Sequence, residues 1–333
     1  MHRLKILAGH LSPPGAAAGG TRDVGAAECG SAGGSGPQDV VVVHGRRTAI
    51  GKAKRGAFKD TTPDELLSAV MTAVLTDVGL SPDKLGDVCV GNVLQPGAGA
   101  LMARVAHFLS GFPETVPCYT VNRQCSSGLQ ALFNIAGAIR SGSIDLGLAC
   151  GITSENIAER FGVSREKQDA FALSSQQKAA RAQTSGRFQR EIVPVAVRHA
   201  DGGAEREVLV AEDDGIRAGT TLAGLSKLRP AFKPDGSTTA GLTVADMDVF
   251  EINEAFPSQA VYCVEKLGIP LEKVNPNGGA IALGHPLGCT GARQVVTLLN
   301  ELRRRGRRAY GVVSMCIGTG MGAAAVFEYP GGA

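Results

Sequence analysis

Hydrophobic positions along the chain alternate between strand-like and helix-like patterns. The valine run at 39–44 predicts a buried strand, because valines that do not alternate with polar residues face apolar neighbours on both sides. A helix with apolar positions three and four residues apart follows. Thr62 is its predicted N-cap, with Pro63 at the first helical position and Glu65 placed for a capping box. Gly79 is expected to end it.

The same alternation continues to the C-terminus and predicts an α/β fold with a largely parallel sheet. The predicted strands are residues 87–94, 116–121, 145–150, 248–252, 309–316 and 323–329. The predicted helices are residues 125–140, 164–183, 255–267 and 292–304. Polar and basic connections surround the second of these helices, which indicates an inserted lobe. We therefore expect a flexible segment 1–38, a first half 39–151, a lobe 152–241 and a second half 242–333.

The second half resembles a weak copy of the first. Cys125–Gly128 precedes a helix in the first half, and Gly288–Gly291 precedes a helix in the second. Each half then reaches a strand that ends in a cysteine, Cys150 in one and Cys316 in the other. Internal repetition of this kind predicts two similar halves packed on each other.

Composition and charge exclude several classes of protein. The 333 residues are 44% hydrophobic and 20% charged, which is ordinary for a globular enzyme. A net charge of +3 is too small to indicate a nucleic-acid partner. No apolar run approaches the roughly 18 residues of a membrane span. The eight cysteines form no CxxC pair, so we expect free thiols rather than a disulfide framework.

The first 38 residues differ from the rest. Gly, Ala, Ser and Pro dominate at 12–37, a composition that cannot bury enough apolar surface to order itself. Before this tract, positions 3, 4, 7, 10 and 11 share one helical face with Arg, Leu, Leu, His and Leu. This face resembles an N-terminal peroxisomal targeting signal, which predicts an import receptor bound through residues 3–11 and a peroxisomal location. A frayed terminus or a weak mitochondrial presequence is the alternative.

Cys125 is the first candidate for chemistry. It lies where a predicted strand turns into a helix, and the amides and partial positive charge of a helix N-terminus lower the pKa of a thiol below roughly 8.5. A buried core thiol is the alternative for any free cysteine. We adopt that alternative for the remaining cysteines of the predicted core, which are Cys89, Cys118, Cys150, Cys263 and Cys289.

Three further residues have chemically useful positions. His285 lies in a glycine-rich turn, which suits either a general base or an ordinary loop histidine. Cys316 ends a strand and opens a glycine-rich run that lacks the Lys-Ser/Thr of a phosphate-binding loop, so it is a candidate acid/base. Asn253 follows a strand directly and could hold a water or a carbonyl oxygen.

Four segments resemble the signature motifs of the thiolase family and occur in the family's order. They are NRQCSSG at 122–128, NEAF at 253–256, GHPLGCTGAR at 284–293 and CIGTGMG at 316–322. The resemblance runs from about residue 39 to the C-terminus. It implies two similar βαβ-type halves packed as α/β/α/β/α layers. The related ketosynthases carry a second histidine where this chain has Cys316, which favours a thiolase.

The resemblance also implies a role for each candidate. Cys125 would carry the acyl group as a thioester, His285 would activate it, and Cys316 would move the proton of the second substrate or product. Asn253 and His285 would form one oxyanion hole, and the backbone N–H groups of Cys125 and Gly318 the other.

The implied reaction is cleavage of 3-ketoacyl-CoA by CoA, giving acetyl-CoA and a shortened acyl-CoA in fatty-acid β-oxidation. Coenzyme A is a substrate, and the resemblance implies no metal or redox cofactor. The implied coenzyme A contacts are Arg217, Ser226 and Gly318. A homodimer is a further implication, with the targeting-like N-terminus indicating the peroxisomal type.

The chain departs from the family pattern at two junctions. Gly151 is followed directly by Ile152, where the family continues with a Glu-Ser-Met-Ser-type segment. Gly241 meets Leu242, where the family has a closing strand of the first half and then a strand and helix of the second. We therefore expect two internal deletions. Two hypotheses stay open: an active thiolase, or a catalytically impaired thiolase-like chain with little or no turnover.

Overall fold

Two three-stranded sheets form the frame of the molecule. The structure, a computed structural model, describes residues 39–52, 55–151, 165–201, 204–225, 244–318 and 321–331. The predicted targeting signal and Ser226 lie outside these residues. The strands of the described part are β1 (Asp87–Gly91), β2 (Cys118–Val121), β3 (Gly147–Gly151), β4 (Val195–Asp201), β5 (Ala204–Val210), β6 (Val249–Ile252), β7 (Ala309–Gly318) and β8 (Met321–Tyr329).

Helices connect and cover these strands. Those of the described residues are α1 (Pro63–Val78), α2 (Ala100–Leu109), α3 (Ser127–Arg140), α4 (Arg165–Thr184), α5 (Leu222–Leu225), α6 (Pro257–Lys266), α7 (Ala280–Leu283) and α8 (Thr290–Arg304). Short 3₁₀ turns occur at Pro82–Lys84, Pro96–Gly99, Val244–Asp246 and Leu271–Lys273. Within the part of the chain described here, none of the helices has the length and apolar character needed to cross a membrane.

The capping residues predicted for α1 are confirmed. The backbone N–H and the hydroxyl of Thr62 both donate to the Glu65 carboxylate, at 2.7 and 2.8 Å. Gly79 ends the helix in the left-handed conformation, with φ +62°. The N-cap N–H thus has a partner at one end of α1, and the Gly79 N–H donates to the carbonyls of Leu75 and Thr76 at the other.

The first-half sheet has the order β2-β1-β3 and is parallel throughout. The side chains of the central strand β1 are buried on both faces. Val88 and Val90 pack with residues of α1 and α2, whereas Cys89 packs with Ala131 and Ile135 of α3. This alternation follows from the two-residue period of a strand and places helices on both sides of the sheet.

The second-half sheet has the order β6-β7-β8, with β6 and β7 parallel and β8 antiparallel to β7. Phe250 of β6 packs with residues of α4 and α6, and Val249 packs with α8 on the other face. Leu129 of α3 belongs to this second cluster. Helices α3 and α8 therefore form a shared middle layer, which confirms the predicted order α/β/α/β/α.

The predicted strand at 39–44 is wrong. These residues form no strand, and the side chains of Val41 and Val43 are 70% and 62% exposed. In the second half β8 pairs along β7, but among the described residues nothing pairs with the outer edge of β3. A strand forms only when a neighbour satisfies its backbone groups, so the apolar pattern alone does not suffice.

Helix α2 and the two strands β4 and β5 were missing from the sequence analysis. Helix α2 follows a glycine-rich turn and leaves several apolar side chains exposed, so its pattern gives no clear core stripe. Strands β4 and β5 pair as an antiparallel hairpin. Alternating residues around Gly202 and Gly203 are a hairpin signal that would have predicted them.

A buried ionic cluster joins the inserted lobe to the start of the first half. Arg47 donates to both carboxylate oxygens of Asp213 at 2.8 Å and to Glu191 at 2.9 and 3.1 Å. All three side chains are almost fully buried. Removing one partner would leave a buried charge uncompensated, so this cluster fixes how the lobe is attached.

Candidate active site

The turn before α3 holds Cys125 in a constrained position. Gln124 has φ +47°, a left-handed conformation that non-glycine residues rarely adopt. The hydroxyl of Ser127 accepts a hydrogen bond from the Arg123 N–H at 2.9 Å and donates to the Gln124 carbonyl at 2.6 Å. This local network holds Cys125 directly before the N-terminus of α3, where the sequence analysis places it.

Two glycines let the helices of the middle layer approach closely. Gly128 of α3 and Gly291 of α8 occupy equivalent positions in the two halves. A Cβ on Gly128 would lie 2.8 Å from the Gly288 carbonyl oxygen, and one on Gly291 would lie 2.6 Å from the Cβ of Leu129. Neither approach has room for a side chain, so these glycines bring the Cys125 turn beside the His285 turn.

The tautomer of His285 follows from its neighbour Thr290. The imidazole Nδ1 lies 2.8 Å from the Thr290 hydroxyl, which itself donates to the Pro286 carbonyl at 2.9 Å. A hydroxyl has one proton, so it accepts from Nδ1–H. The lone pair of Nε2 is left free, and the side-chain amide of Asn253 lies 3.5 Å from that atom.

Asn253 and Glu254 follow β6 and have different tasks. The Asn253 amide is also 3.4 Å from the Cys316 sulfur, so it faces both the imidazole and a thiol. The Glu254 carboxylate is buried and accepts hydrogen bonds from Ser175, Asn275 and the backbone N–H of Ile281, at 2.6, 2.6 and 3.0 Å. Glu254 thereby ties the end of β6 to α4 and to α7, which leads into the histidine turn.

Cys316 lies near the end of β7, beside a β-bulge that separates it from Gly318. Gly318 has φ +85°, and a Cβ there would lie 2.6 Å from the Gln124 side-chain oxygen. The end of β7 therefore touches the Cys125 turn of the other half. A bulge often redirects a side chain next to a functional site.

These elements bring together the three reactive side chains that the sequence analysis selected. One sulfur or nitrogen atom each from Cys125, His285 and Cys316 lies within 4.8 Å of the other two. All three residues are half-buried. Asn253 joins them through the distances given above, so four predicted residues from both halves meet at one place.

Electrostatics separate the two thiols. The hydrogen bond from Cys316, together with the hydrogen bond and charge of His285, lowers the pKa of Cys125 to about 5, although burial opposes this. The hydrogen bond to Cys125 and burial raise the pKa of Cys316 above its ordinary value. At neutral pH the pair therefore consists of a thiolate at Cys125 and a thiol at Cys316, a nucleophile beside an acid.

The thiols predicted to be structural differ from Cys125. Burial raises the pKa of each of them, and each stays protonated at neutral pH: Cys89, Cys118, Cys150, Cys263 and Cys289. Cys89 and Cys150 are buried, and the other three are half-buried. A protonated thiol is a poor nucleophile, so the pKa values single out Cys125.

Of the implied coenzyme A contacts, Gly318 is described above, and Arg217 lies on a loop that contacts α4 and α7. Its side chain is exposed, and its backbone N–H donates to the Gln176 side chain at 2.7 Å. The same loop packs closely on α7, because a Cβ on Gly215 would lie 2.6 Å from the Ala282 carbonyl oxygen. That contact is three residues before His285.

Three positioning residues were given no role in the sequence analysis: Gln124, Glu254 and Thr290. All three stood within or beside the motifs that were quoted. Only Thr290 had a sequence signal of its own, because a hydroxyl residue at the start of a predicted helix commonly bonds to nearby backbone. The left-handed Gln124 and the buried Glu254 have no such local signal.

Two known family models match most of the chain. The family described as "Thiolase, N-terminal domain" matches residues 40–152 and 147–245, and "Thiolase, C-terminal domain" matches residues 230–329. The first match is divided next to the predicted junction at Gly151. The N- and C-terminal matches overlap around the second junction, at Gly241.

A curated human relative is described as "3-ketoacyl-CoA thiolase, peroxisomal". It is 56% identical over 425 residues, which cover 99% of this chain and 100% of the relative. Because this chain has 333 residues, at least 92 positions of that alignment hold none of its residues. The difference agrees with the predicted internal deletions.

Solved structures give the same result. The dimeric peroxisomal thiolase of Saccharomyces cerevisiae has a TM-score of 0.77 and 38% identity, covering 88% of this chain and 98% of that one. A second yeast peroxisomal 3-ketoacyl-CoA thiolase structure has a TM-score of 0.71 and 40% identity, with the same coverage. It is described as five layered, α-β-α-β-α, with two core domains of identical topology. The layers, the motifs and the matched profiles agree: the chain belongs to the thiolase family.

Proposed function

We propose that this protein cleaves 3-ketoacyl-CoA with CoA in peroxisomal fatty-acid β-oxidation, as an acetyl-CoA C-acyltransferase. The products are acetyl-CoA and a shortened acyl-CoA. The observation that carries the proposal is the group of two thiols and one imidazole within 4.8 Å, in which one thiol is a thiolate at neutral pH and the other is not. The human relative's description supports the same activity and location.

In the first step the Cys125 thiolate attacks the 3-keto carbon of the substrate. Collapse of the tetrahedral adduct breaks the bond between Cα and Cβ and leaves an acyl thioester on Cys125. The electron pair passes to the enolate of acetyl-CoA, which the Cys316 thiol protonates at carbon. Asn253 and His285 stabilise the enolate oxygen, His285 as a donor once Nε2 has taken the Cys125 proton.

In the second step Cys316 is a thiolate and takes the proton of the incoming CoA thiol. The CoA sulfur attacks the thioester carbonyl, and the backbone N–H groups of Cys125 and Gly318 stabilise the oxyanion. Cys125 then leaves as a thiolate, and Cys316 is again a thiol. The cycle is ping-pong covalent catalysis: Cys316 gives one proton to acetyl-CoA and regains one from CoA, so both cysteines end in their starting states.

Coenzyme A binding is assigned to Arg217, Ser226 and Gly318. Arg217 suits the phosphates because a guanidinium pairs with them through two parallel hydrogen bonds. We expect Arg217→Ala and Ser226→Ala to raise the KM for CoA with little change in kcat. Arg190→Ala is the matched control, because Arg190 is another exposed arginine of the lobe. An unchanged KM in Arg217→Ala would remove this assignment.

A homodimer and an import signal complete the proposal. Helix α2 exposes an apolar group beside the edge strand β2: Leu101, Val105, Phe108 and Leu109, with Tyr119 on the strand. A second copy would cover this surface. We expect Phe108→Glu to give a monomer by light scattering.

Import through residues 3–11 is tested by His10→Ala in a reporter fusion, which should stay cytosolic.

The impaired alternative is not favoured, because the reactive side chains meet despite the shortened halves. We propose that residues 39–151 form the first half, residues 152–241 the inserted lobe and residues 242–333 the second half. Thiolysis measured on the purified 333-residue protein beside a thermal melt separates the hypotheses. Turnover that disappears in Cys125→Ser supports the enzyme. A folded protein without turnover supports the alternative, if activity returns when a Ser-Met-Ser-type segment is restored after Gly151 and a strand–helix segment between Gly241 and Leu242.

A further inference from the structure

The three reactive side chains of the active site are also a set of soft metal ligands. Among the described residues they form a group with two sulfurs and one imidazole nitrogen, all mutually within 4.8 Å. Tetrahedral zinc, with Zn–S near 2.3 Å and Zn–N near 2.0 Å, separates such ligand atoms by roughly 3.5–3.8 Å. Closing from 4.8 Å requires shifts of about 1 Å, which side-chain rotation supplies.

We propose that Cys125, His285 and Cys316 bind one thiophilic divalent cation, Zn²⁺ or Cd²⁺, which reversibly blocks the nucleophile. Nothing in the proposed thiolysis calls for a metal, so this is an inhibitory site. Binding releases two protons to solvent, one from Cys316 and the Cys125 proton held on Nε2 of His285, and the two thiolates then balance the charge of the dication. The fourth tetrahedral position is left for water.

The donor set selects the class of cation. Two thiolates and an imidazole suit Zn²⁺, Cd²⁺ and Cu⁺, whereas Mg²⁺ and Ca²⁺ prefer oxygen ligands. The described residues place no carboxylate within the cluster. We therefore expect Mg²⁺ to leave the protein unaffected at concentrations at which Zn²⁺ saturates it.

The surroundings of His285 already have the form that metal-binding histidines need. Its Nδ1–H is held by the Thr290 hydroxyl at 2.8 Å, so the Nε2 lone pair faces the thiols. An outer hydrogen bond of this kind fixes the ring and its tautomer for a metal, and losing it costs about 10–100-fold in affinity. Asn253 contacts the Cys316 sulfur from a further side.

The test is a titration of the purified full chain with Cd²⁺, followed through the ultraviolet charge-transfer absorption of cadmium–thiolate bonds. We expect one equivalent per chain, competed by Zn²⁺ and removed by EDTA. Cys316→Ser and His285→Ala should each abolish tight binding, and Thr290→Val should weaken it about 10–100-fold. Cys263→Ser, at a half-buried cysteine outside the site, should bind as wild type. Melting temperatures identify any variant that fails to fold.

Binding and activity report separately. Wild type that shows no cadmium–thiolate band, or a band that survives in a folded Cys316→Ser variant, overturns the metal site. A protein that binds Cd²⁺ with the expected variant pattern but shows no thiolysis leaves the metal site standing and contradicts only the proposed function. We also expect Zn²⁺ to inhibit thiolysis in wild type and in Cys263→Ser, and EDTA to reverse the inhibition.

Discussion

The turns that carry Cys125 and His285 use the same backbone device in the two halves. In each, a fully buried hydroxyl residue opens the helix and donates to a carbonyl three or four residues earlier: Ser127 in the first half and Thr290 in the second. A close-packed glycine follows each hydroxyl, Gly128 and Gly291. The position equivalent to Cys125 is Gly288. The two halves therefore share the hydroxyl and glycine of the turn but not the reactive cysteine.

The two halves also differ in their sheets. The second half has β8 beside β7, whereas the described first half ends at β3. Nevertheless the end of β7 reaches the Cys125 turn through Gly318. The contact between halves, rather than the completeness of each sheet, positions the reactive groups.

The largest expected effect is the loss of acylation in Cys125→Ser. A serine hydroxyl is a far weaker nucleophile than a thiolate, so thiolysis should fall by about 10³-fold or more. Intact mass after incubation with acyl-CoA should show no adduct. Cys289→Ser, which changes the cysteine of the equivalent second-half turn, should keep the adduct. An adduct retained in Cys125→Ser would contradict the nucleophile assignment.

Cys316→Ala should separate the two proton steps from acylation. Loss of a positioned acid/base costs about 10²–10⁴-fold, so the exchange of acetyl-CoA α-hydrogens with deuterated water should disappear. Acylation of Cys125 by acyl-CoA should persist, and mass spectrometry detects both. Exchange at the wild-type rate would exclude Cys316 as the acid/base.

Thr290→Val should reduce turnover by about 10-fold and shift its pH profile, because the Nδ1–H of His285 loses its acceptor and the tautomer is no longer fixed. Thr290→Ser, which keeps the hydroxyl, should restore both. Ser127→Ala in the first half is the comparison: it should lower the melting temperature without moving the pH profile. An unshifted profile in Thr290→Val would assign Thr290 a purely structural role.

The pH dependence of Cys125 alkylation sharpens the comparison of thiols. Since the pKa of Cys125 is lowered to about 5, its reaction with iodoacetamide should be constant above roughly pH 6 and fall as the pH drops through 5. Cys118, whose pKa is raised to about 11, should react only at high pH. Peptide mass mapping measures both rates. A Cys125 rate that keeps rising above pH 8 would contradict the lowered pKa.

The smallest effect concerns the middle layer. Gly291→Ala should destabilise the protein by about 1–3 kcal/mol, because its Cβ has no room against Leu129. Gly137→Ala, in the interior of α3 with nothing within 4 Å of the added Cβ, should stabilise it by about 0.5–1 kcal/mol. Equal melting temperatures for the two variants would show that α3 and α8 can move apart without loss of stability.

Local chemistry made much of the fold predictable. The caps of α1, the helix after Cys125 and the strand ending near Cys316 follow from short-range patterns. The strand at 39–44 was wrong because its existence depends on a partner far along the chain. Helix α2 was missed because its apolar residues face outward beside an open sheet edge.

The sequence by itself determined which residues carry chemistry, because residue type and turn context are local and the four motifs name Cys125, Asn253, His285 and Cys316. Only the tertiary structure decided that these residues meet and that their pKa values separate. The distances between Asn253, His285 and Cys316 join segments 32 and 63 residues apart in the chain. Burial and hydrogen bonds across those segments set which thiol is ionised, and such long-range effects have no signature in a local pattern.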